Sequence, residues 1–163
     1  MAKKAFYSFH YAPDSWRASQ VRNVGAVEGN QPVSDNEWES ITGKGDAAIR
    51  AWINGQMSGR SCAVILVGQA TAGRKWINYE IQKAWEDGKG VVGVYIHNLK
   101  NASGSQAAEG RNPFDGLSVN GTKLSSIVKA YNPPYTTSTY VYDHIKSNIE
   151  SWVDEAITIR KKH

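Results

Sequence analysis

A continuous apolar run near the middle of the chain constrains the fold more than any other feature. The run extends from Cys62 to Val67, CAVILV, and ends at Gly68. A half-exposed strand alternates apolar and polar residues, whereas an unbroken run of this length is typical of a strand buried on both faces of a parallel sheet. Helices are then needed to cover both faces of that sheet.

From Arg74 onward the apolar residues change to the spacing of a helix. Ile77, Ile81, Ala84 and Trp85 recur every three or four residues, which predicts an apolar stripe on one side of an amphipathic helix. The segment 61–87 is therefore predicted to form a strand, a turn and a helix.

An adjoining face of the same helix carries Trp76 and Glu80, which are neighbours because they are one turn apart. An aromatic ring beside a carboxylate, on a helix that follows a buried strand, is a candidate site for chemistry. The spacing alone is a weak motif, since a half-buried Trp and a solvated Glu often occur together by chance. Its context has to support the functional interpretation.

The flanking segments complete an alternating pattern. Strands are predicted at 3–11 and 91–96, an irregular strand within 124–131, and helices at about 14–23, 46–59 and 139–161. Residues 25–42 and 99–122 are rich in Gly, Ser and Asn and are predicted to be long surface loops. The whole chain, 1–163, is expected to form a single α/β domain with an open parallel sheet and helices on both faces.

The first strand and the first helix illustrate how these boundaries are set. Pro13 is expected to end the strand, and Asp14 or Ser15 to cap the helix that follows. Trp16, Gln20 and Val21 are the candidates for the inward face of that helix.

Composition excludes several classes of protein. No apolar run approaches membrane-spanning length, the beginning of the sequence does not resemble a secretory signal, and the lone Cys62 cannot form an internal disulfide. We therefore expect a cytoplasmic protein without a membrane partner. The net charge is +4, but the basic residues are scattered apart from a C-terminal cluster at 160–162, which argues against nucleic acid as a partner.

Polar and aromatic residues follow each predicted parallel strand. Ser8, Phe9 and His10 end the first strand, and His97 and Asn98 follow the strand at 91–96. Ligands of open parallel sheets bind outside the carboxyl ends of the strands. If these strands are neighbours, their ends and the helix that carries Trp76 and Glu80 should share one cleft.

Other site chemistries fit these strand ends less well. The chain has no phosphate-binding P-loop, no acidic residues at the strand ends of the kind a phosphoacceptor domain requires, and no strand–Ser–helix elbow of a hydrolase. His10 and His97 lack a third metal ligand at recognisable spacing, so no metal is expected.

Taken together, several motifs in the same order resemble the TIR-like family typified by the ThsB proteins of bacterial Thoeris anti-phage defence. The motifs are KAFYSFHY in the first strand, WRASQVRN at 16–23, the run from Gly45 to Ile53, RKWINYEI at 74–81, GVYIHN at 93–98 and NPFD at 112–115. The resemblance covers about residues 3–116. It implies a flavodoxin-like TIR fold.

The resemblance also implies an activity, namely cleavage of NAD at the nicotinamide–ribose bond, with NAD as the substrate and no further cofactor. The glutamate of the family's Trp-x-x-x-Glu helix corresponds to Glu80, which is then the catalytic residue, and Trp76 corresponds to the motif's aromatic residue. Thoeris members make a cyclic ADP-ribose isomer that activates a separate effector. Homo-oligomers are a further expectation for such proteins.

Physical chemistry suggests roles for the remaining strand-end residues in this reaction. One carboxylate at the ribose can stabilise an oxocarbenium-like sugar. Phe9 and Trp76 offer flat surfaces to the nicotinamide or the adenine. The side chains expected to bond ribose or phosphate oxygens are those of Ser8, His10, His97 and Asn98.

Two alternatives remain open at this point. In the first, the chain is a non-enzymatic TIR interaction module, and Glu80 is only structural. In the second, the chain is a nucleoside hydrolase or transferase of similar fold that uses Glu80 on a different nucleoside.

Overall fold

The computed structural model describes residues 4–25, 27–29 and 40–163. The principal elements within these residues are, in chain order, β1 (Ala5–Ser8), α1 (Tyr11–Arg22), α2 (Asp46–Met57), β2 (Cys62–Val67), α3 (Lys75–Glu86), β3 (Gly90–Tyr95), β4 (Ser118–Val119), β5 (Thr122–Lys123), a 3₁₀ turn (Leu124–Ser126), β6 (Ala130–Tyr131) and α4 (Ser138–Lys161). None of the helices in this part of the chain has the length and apolar composition to cross a bilayer.

The central sheet has the strand order β1-β2-β3-β6, and every pairing in it is parallel. All six residues of β2 are buried, as the apolar run predicts, and β2 pairs along its whole length with β3. The predicted open parallel sheet with helices is therefore confirmed, and the architecture is that of a flavodoxin-like TIR fold.

A short contact at the edge of β1 shows on which side of this strand the chain continues. Lys4 forms a parallel bridge with Glu28, and the Ala5 amide donates to the Glu28 carbonyl at 2.8 Å. The chain thus leaves β1 toward one side of the sheet and later returns to β2 on the other side. The reversal creates a crevice between the carboxyl ends of β1 and β2, where ligands of such sheets bind.

Within the described residues, helices pack on both faces of the sheet. The helices α1 and α4 pack on one face through residues such as Val21 and Ile145, which contact strand residues including Val64. On the other face, α2 and α3 pack through residues such as Ile53 and Ile81. The predicted stripe of α3 is confirmed, since Ile77, Ile81, Ala84 and Trp85 are all buried.

The boundary between β1 and α1 differs from the expectation. The strand ends at Ser8 rather than Tyr11, and Pro13 lies inside α1 instead of ending the strand. A proline is tolerated there because the first-turn amides of a helix have no partner within the helix. Trp16 does not face inward, because 57% of it is exposed, whereas Val21 is buried as predicted.

Residues 99–122 contain a short hairpin that the loop prediction omitted. β4 and β5 pair antiparallel through Asn120 and Gly121, both of which have a positive φ. An Asn-Gly pair is the strongest short signal for such a turn, so the sequence did carry this information. Most of the other predicted loop, residues 25–42, lies outside the described residues.

The C-terminal elements agree with the prediction in kind and differ in extent. The irregular strand predicted within 124–131 is the 3₁₀ turn followed by the two residues of β6. The last helix begins at Ser138 with Thr137 as its N-cap, one residue before the predicted start. Its buried face includes Val141, Ile145, Ile149 and Val153.

Candidate active site at the ends of β1 and β2

A cleft of about 590 Å³ lies at the crevice between the ends of β1 and β2. It is lined by residues that follow β1, by the loop that leads out of β2, and by the first two turns of α3. The lining residues are Phe9, His10, Tyr11, Ala12, Ala70, Ala72, Gly73, Arg74, Lys75, Trp76, Ile77 and Glu80. We refer to it as the Glu80 cleft.

Glu80 is the carboxylate of this cleft, and only 8% of the residue is exposed. Burial raises the pKa of Glu80 to about 8, and an interaction with the Ser8 hydroxyl opposes part of that rise. Among the described residues Glu80 has no ion pair. Near neutral pH the free protein therefore holds Glu80 largely in its protonated form.

Ser8 lies beneath the cleft rather than in its lining. Alternation along β1 directs Ser8 to the same face of the sheet as Phe6, the face that α3 covers. The residue is 1% exposed, and its Oγ has no hydrogen bond of regular geometry within the described residues. The influence of Ser8 on the pKa of Glu80 nevertheless indicates that the two side chains are close.

Two helices begin at the Glu80 cleft. α1 has His10 as its N-cap and α3 has Arg74, and neither N-cap side chain bonds the first turn of its helix. Unpaired amides at a helix N-terminus attract anions. Arg74 and Lys75 add two cationic side chains to the lining, so this cleft is suited to a phosphate-bearing ligand.

Aromatic rings form part of the cleft wall. Trp76 is half-buried and meets Tyr79 edge to face, with the ring centroids 5.7 Å apart. The Lys75 Nζ lies 5.0 Å from the centroid of the Trp76 ring. Phe9 and Tyr11 also line the cleft and stack with their centroids 6.0 Å apart. Flat rings of this kind can stack on a planar heterocycle.

His10 lines the cleft and is partly buried. Burial lowers the pKa of His10, and the charge of Arg74 lowers it further, while Asp14 acts in the opposite sense. The imidazole is therefore neutral at physiological pH. Its Nδ1 atom is buried and has no hydrogen-bond partner within the described residues.

His97 and Asn98 do not line the Glu80 cleft. They line a second cleft of about 480 Å³ at the ends of β3 and β6, which we call the β3–β6 cleft. Its lining residues are His97, Asn98, Glu109, Asn132, Pro133, Pro134, Tyr135, Thr136, Thr137 and Tyr140. The expected convergence thus holds for Phe9, His10, Trp76 and Glu80. The binding roles of His97 and Asn98 stay predictions.

Sequence reasoning missed the buried pair Asp14 and Arg17. Arg17 Nη1 lies 3.0 Å from Asp14 Oδ1, and both residues are at least 97% buried. Arg17 also donates to the carbonyls of Leu99 at 2.8 Å and Ser105 at 2.9 Å. The i, i+3 spacing was the available signal, but Asp14 had been interpreted as a helix cap. The pair anchors the segment after β3 to α1.

The part of the chain that the structure describes has no group of three or more His, Cys, Asp or Glu side chains placed to hold a metal ion. The chemistry available at the Glu80 cleft is therefore that of a buried carboxylate, aromatic rings, a neutral imidazole and anion-binding helix ends.

Comparison with known proteins identifies the family of this chain. Residues 6–101 match the family described as Thoeris protein ThsB, TIR-like domain. The chain is also 35% identical over 122 residues to a Bacillus cereus protein named putative cyclic ADP-D-ribose synthase ThsB1. That alignment covers 72% of this chain and 64% of the relative, so the chain spans less than two thirds of the relative's length.

Proposed function

This chain belongs to the TIR-like family of Thoeris ThsB proteins, and we propose that it cleaves NAD at the nicotinamide–ribose bond and makes a cyclic ADP-ribose isomer. The observation that carries the proposal is the buried carboxylate of Glu80, which has no ion pair within the described residues and lines a cleft with Trp76 and two helix N-termini. The name of the Bacillus cereus relative supports a cyclic product.

The proposed reaction breaks the bond between the nicotinamide nitrogen and the ribose C1′. The pair of electrons in that bond leaves with nicotinamide, which departs as a neutral molecule, so little general acid catalysis is needed. The sugar becomes oxocarbenium-like, and the ionised Glu80 stabilises its positive charge. A buried carboxylate is effective here because no water screens the interaction.

The raised pKa of Glu80 fits this role. In the free protein Glu80 is largely a neutral carboxylic acid at neutral pH, because burial raises the pKa of Glu80 to about 8. Entry of the cationic nicotinamide ring brings a positive charge beside the group, and a nearby positive charge favours ionisation. Glu80 thus acquires its charge when the substrate supplies the counter-charge.

The two helix N-termini have a separate part in the proposal. The pyrophosphate of NAD is an anion, and the open first turns of α1 and α3 can receive it together with Arg74 and Lys75. Capture of the sugar by a nitrogen or hydroxyl of the same molecule gives a cyclic product, and capture by water gives linear ADP-ribose. Exclusion of water from the cleft favours the first outcome.

We propose further that the cyclic product acts on a separate effector, and that the single domain works in the cytoplasm, where NAD is present. Assembly into homo-oligomers is compatible with this role. Ser8 does not line the Glu80 cleft, and its part in the proposal is to position Glu80. The expected bonds from His97 and Asn98 to substrate oxygens stay in the proposal and require a substrate that extends from the Glu80 cleft to the β3–β6 cleft.

The direct test is incubation of the purified protein with NAD, followed by chromatography and mass analysis of the products. The expected result is free nicotinamide together with a cyclic ADP-ribose mass. Both should be absent with Glu80→Gln and present with Glu86→Gln, which changes an exposed carboxylate at the far end of α3.

Two other results are informative. Linear ADP-ribose alone would make the protein a hydrolase of the same bond. No turnover at high protein concentration, with or without extract from phage-infected cells, would reject the enzymatic proposal in favour of a non-enzymatic interaction module.

A further inference from the structure

The β3–β6 cleft has the features of a ligand site in its own right. It lies at the carboxyl ends of two parallel strands, and none of its lining residues lines the Glu80 cleft. Its volume of about 480 Å³ is within the range of small-molecule sites. The lining is mostly amide, hydroxyl, imidazole and aromatic, with one carboxylate.

That carboxylate, Glu109, is held in a defined position. Asn132 Nδ2 donates to Glu109 Oε1 at 2.7 Å, and His97 Nε2 lies 3.9 Å from the same oxygen. Glu109 itself is more than half exposed, so it can still accept bonds from a ligand. A carboxylate fixed in this way beside the residues that follow β3 and β6 is suited to the hydroxyls of a ribose.

His97 forms part of the cleft wall beside Glu109. The residue is 5% exposed, and Nε2 is the ring nitrogen on the side of Glu109. The other ring nitrogen, Nδ1, is buried and has no hydrogen-bond partner within the described residues. A nearly buried imidazole fixes this side of the cleft, so a ligand meets a preformed surface.

Two exposed tyrosines stand at the opening of the cleft. Tyr135 is 44% exposed and Tyr140 is 59% exposed, and they meet edge to face with their centroids 6.0 Å apart. Both rings are therefore accessible to a ligand in the cleft. They offer a stacking surface to a planar base.

The N-terminus of the longest described helix lies beside the same cleft. α4 has 24 residues, and its N-cap Thr137 makes no side-chain bond to the first turn. Thr136 and Thr137 also line an adjoining depression of about 390 Å³, which contains Lys100. A helix N-terminus with a lysine nearby is a favourable environment for a phosphate.

We propose that the β3–β6 cleft binds a ribonucleotide. Glu109 accepts the ribose hydroxyls, the two tyrosines stack on the base, and the N-terminus of α4 receives the phosphate. The proposal does not depend on turnover of NAD, because it concerns binding of a ligand at residues that do not line the Glu80 cleft.

The test is a titration of the ¹⁵N-labelled wild-type chain with 5′-AMP, followed by NMR. This ligand has no nicotinamide–ribose bond, so the measurement does not depend on turnover. The expected result is a saturable shift of the amide signals of Asn98, Asn132 and Thr137. Glu109→Gln should weaken this binding by about tenfold or more, the effect of losing bonds to a charged group. The control Glu86→Gln should leave it unchanged.

Ligand analogues test each contact without changing the protein. The 2′,3′-dideoxy form of AMP should bind as weakly to the wild type as AMP binds to Glu109→Gln, and adenosine should bind more weakly than AMP. The proposal is overturned if AMP shifts only signals of the Glu80 cleft, such as those of Ala70 and Gly73, or shifts none. Equal binding of the dideoxy analogue would overturn the role of Glu109, and equal binding of adenosine would overturn that of α4.

Discussion

Two buried carboxylates near the carboxyl end of the sheet are accommodated in opposite ways. Asp14 is 1% exposed and forms an ion pair with Arg17, whereas Glu80 is 8% exposed and has no ion pair within the described residues. Burial raises the pKa of both groups, but Arg17 opposes the rise at Asp14, and only the weaker influence of Ser8 does so at Glu80. Arg17 offsets part of the cost of burying Asp14, whose Oδ2 still has no hydrogen-bond partner within the described residues, whereas no cation offsets the cost at Glu80 in that part of the chain.

The surroundings of Asp14 explain the difference. Arg17 links Asp14 to the carbonyls of Leu99 and Ser105, so the pair joins α1 to the segment after β3. Asp14 also packs so closely on Gly68 that a side chain at that position would overlap its carboxylate. Within the described residues Glu80 has no ion pair of this kind. A buried ionisable group with a strongly shifted pKa and no charged partner is a feature of functional sites.

The largest expected effect that tests this comparison is that of Glu80→Gln. Turnover should fall by about 10³-fold, since the substitution removes the charge that stabilises the sugar cation. The free energy of unfolding should rise by roughly 3 kcal/mol at pH 7. In the wild type Glu80 ionises when the chain unfolds, which favours the unfolded state, and glutamine removes that contribution. Kinetics and urea unfolding of the same preparation measure both. A variant that is inactive and also less stable would make Glu80 a structural residue.

Arg17→Met should have the opposite effect on stability. It leaves Asp14 buried without its cation, which typically costs about 3–5 kcal/mol. Denaturant unfolding measures the loss, and the double variant Asp14→Asn/Arg17→Met should recover part of it, because the remaining uncompensated charge is removed. If the double variant is less stable than Arg17→Met, the ion pair is not the dominant interaction of Asp14.

The pH dependence of stability should also distinguish Glu80 from Asp14. Unfolded Glu80 releases its proton near the ordinary pKa of 4.5, and folded Glu80 keeps its proton up to about pH 8. Folding therefore takes up a proton between these values, so stability decreases as the pH rises through this window. The wild type should lose roughly 3 kcal/mol more than Glu80→Gln between pH 5 and pH 8. Parallel pH profiles of the two proteins would show that the pKa of Glu80 is not raised.

The same pKa predicts the pH dependence of activity. In the proposed reaction the ionised form of Glu80 is the active one, so kcat/KM should increase with pH until about pH 8. The measurement is a profile of nicotinamide release at low NAD concentration. A profile that is flat from pH 6 to pH 9 would show that the reaction does not depend on the ionisation of Glu80.

Trp76→Ala should have the smallest effect of these changes. Trp76 is half-buried, so the loss of stability should be about 1–2 kcal/mol, less than for a core tryptophan. The loss of one flat surface should raise KM for NAD by about five- to tenfold with little change in kcat. Steady-state kinetics and unfolding of the same protein separate the two effects. A fall in kcat with KM unchanged would place Trp76 in the reaction step instead.

Much of the fold could be predicted because its signals are local. The run from Cys62 to Val67 and the stripe on α3 depend only on the spacing of neighbouring apolar residues. Boundaries were less accurate at Pro13, which a strand excludes but a helix tolerates in its first turn. The hairpin at Asn120 and Gly121 was missed although its turn signal was present.

The sequence by itself determined the parallel sheet, the helix that carries Trp76 and Glu80, and the family resemblance, because residue spacing records burial over short distances. Only the tertiary structure decided which strand ends share a cleft. It placed Phe9 and His10 with Glu80, and His97 and Asn98 in the β3–β6 cleft. It also paired Arg17 with Asp14 and, among the described residues, gave Glu80 no cation. Burial, pairing and pKa depend on residues that are distant in sequence, and local patterns do not encode those distances.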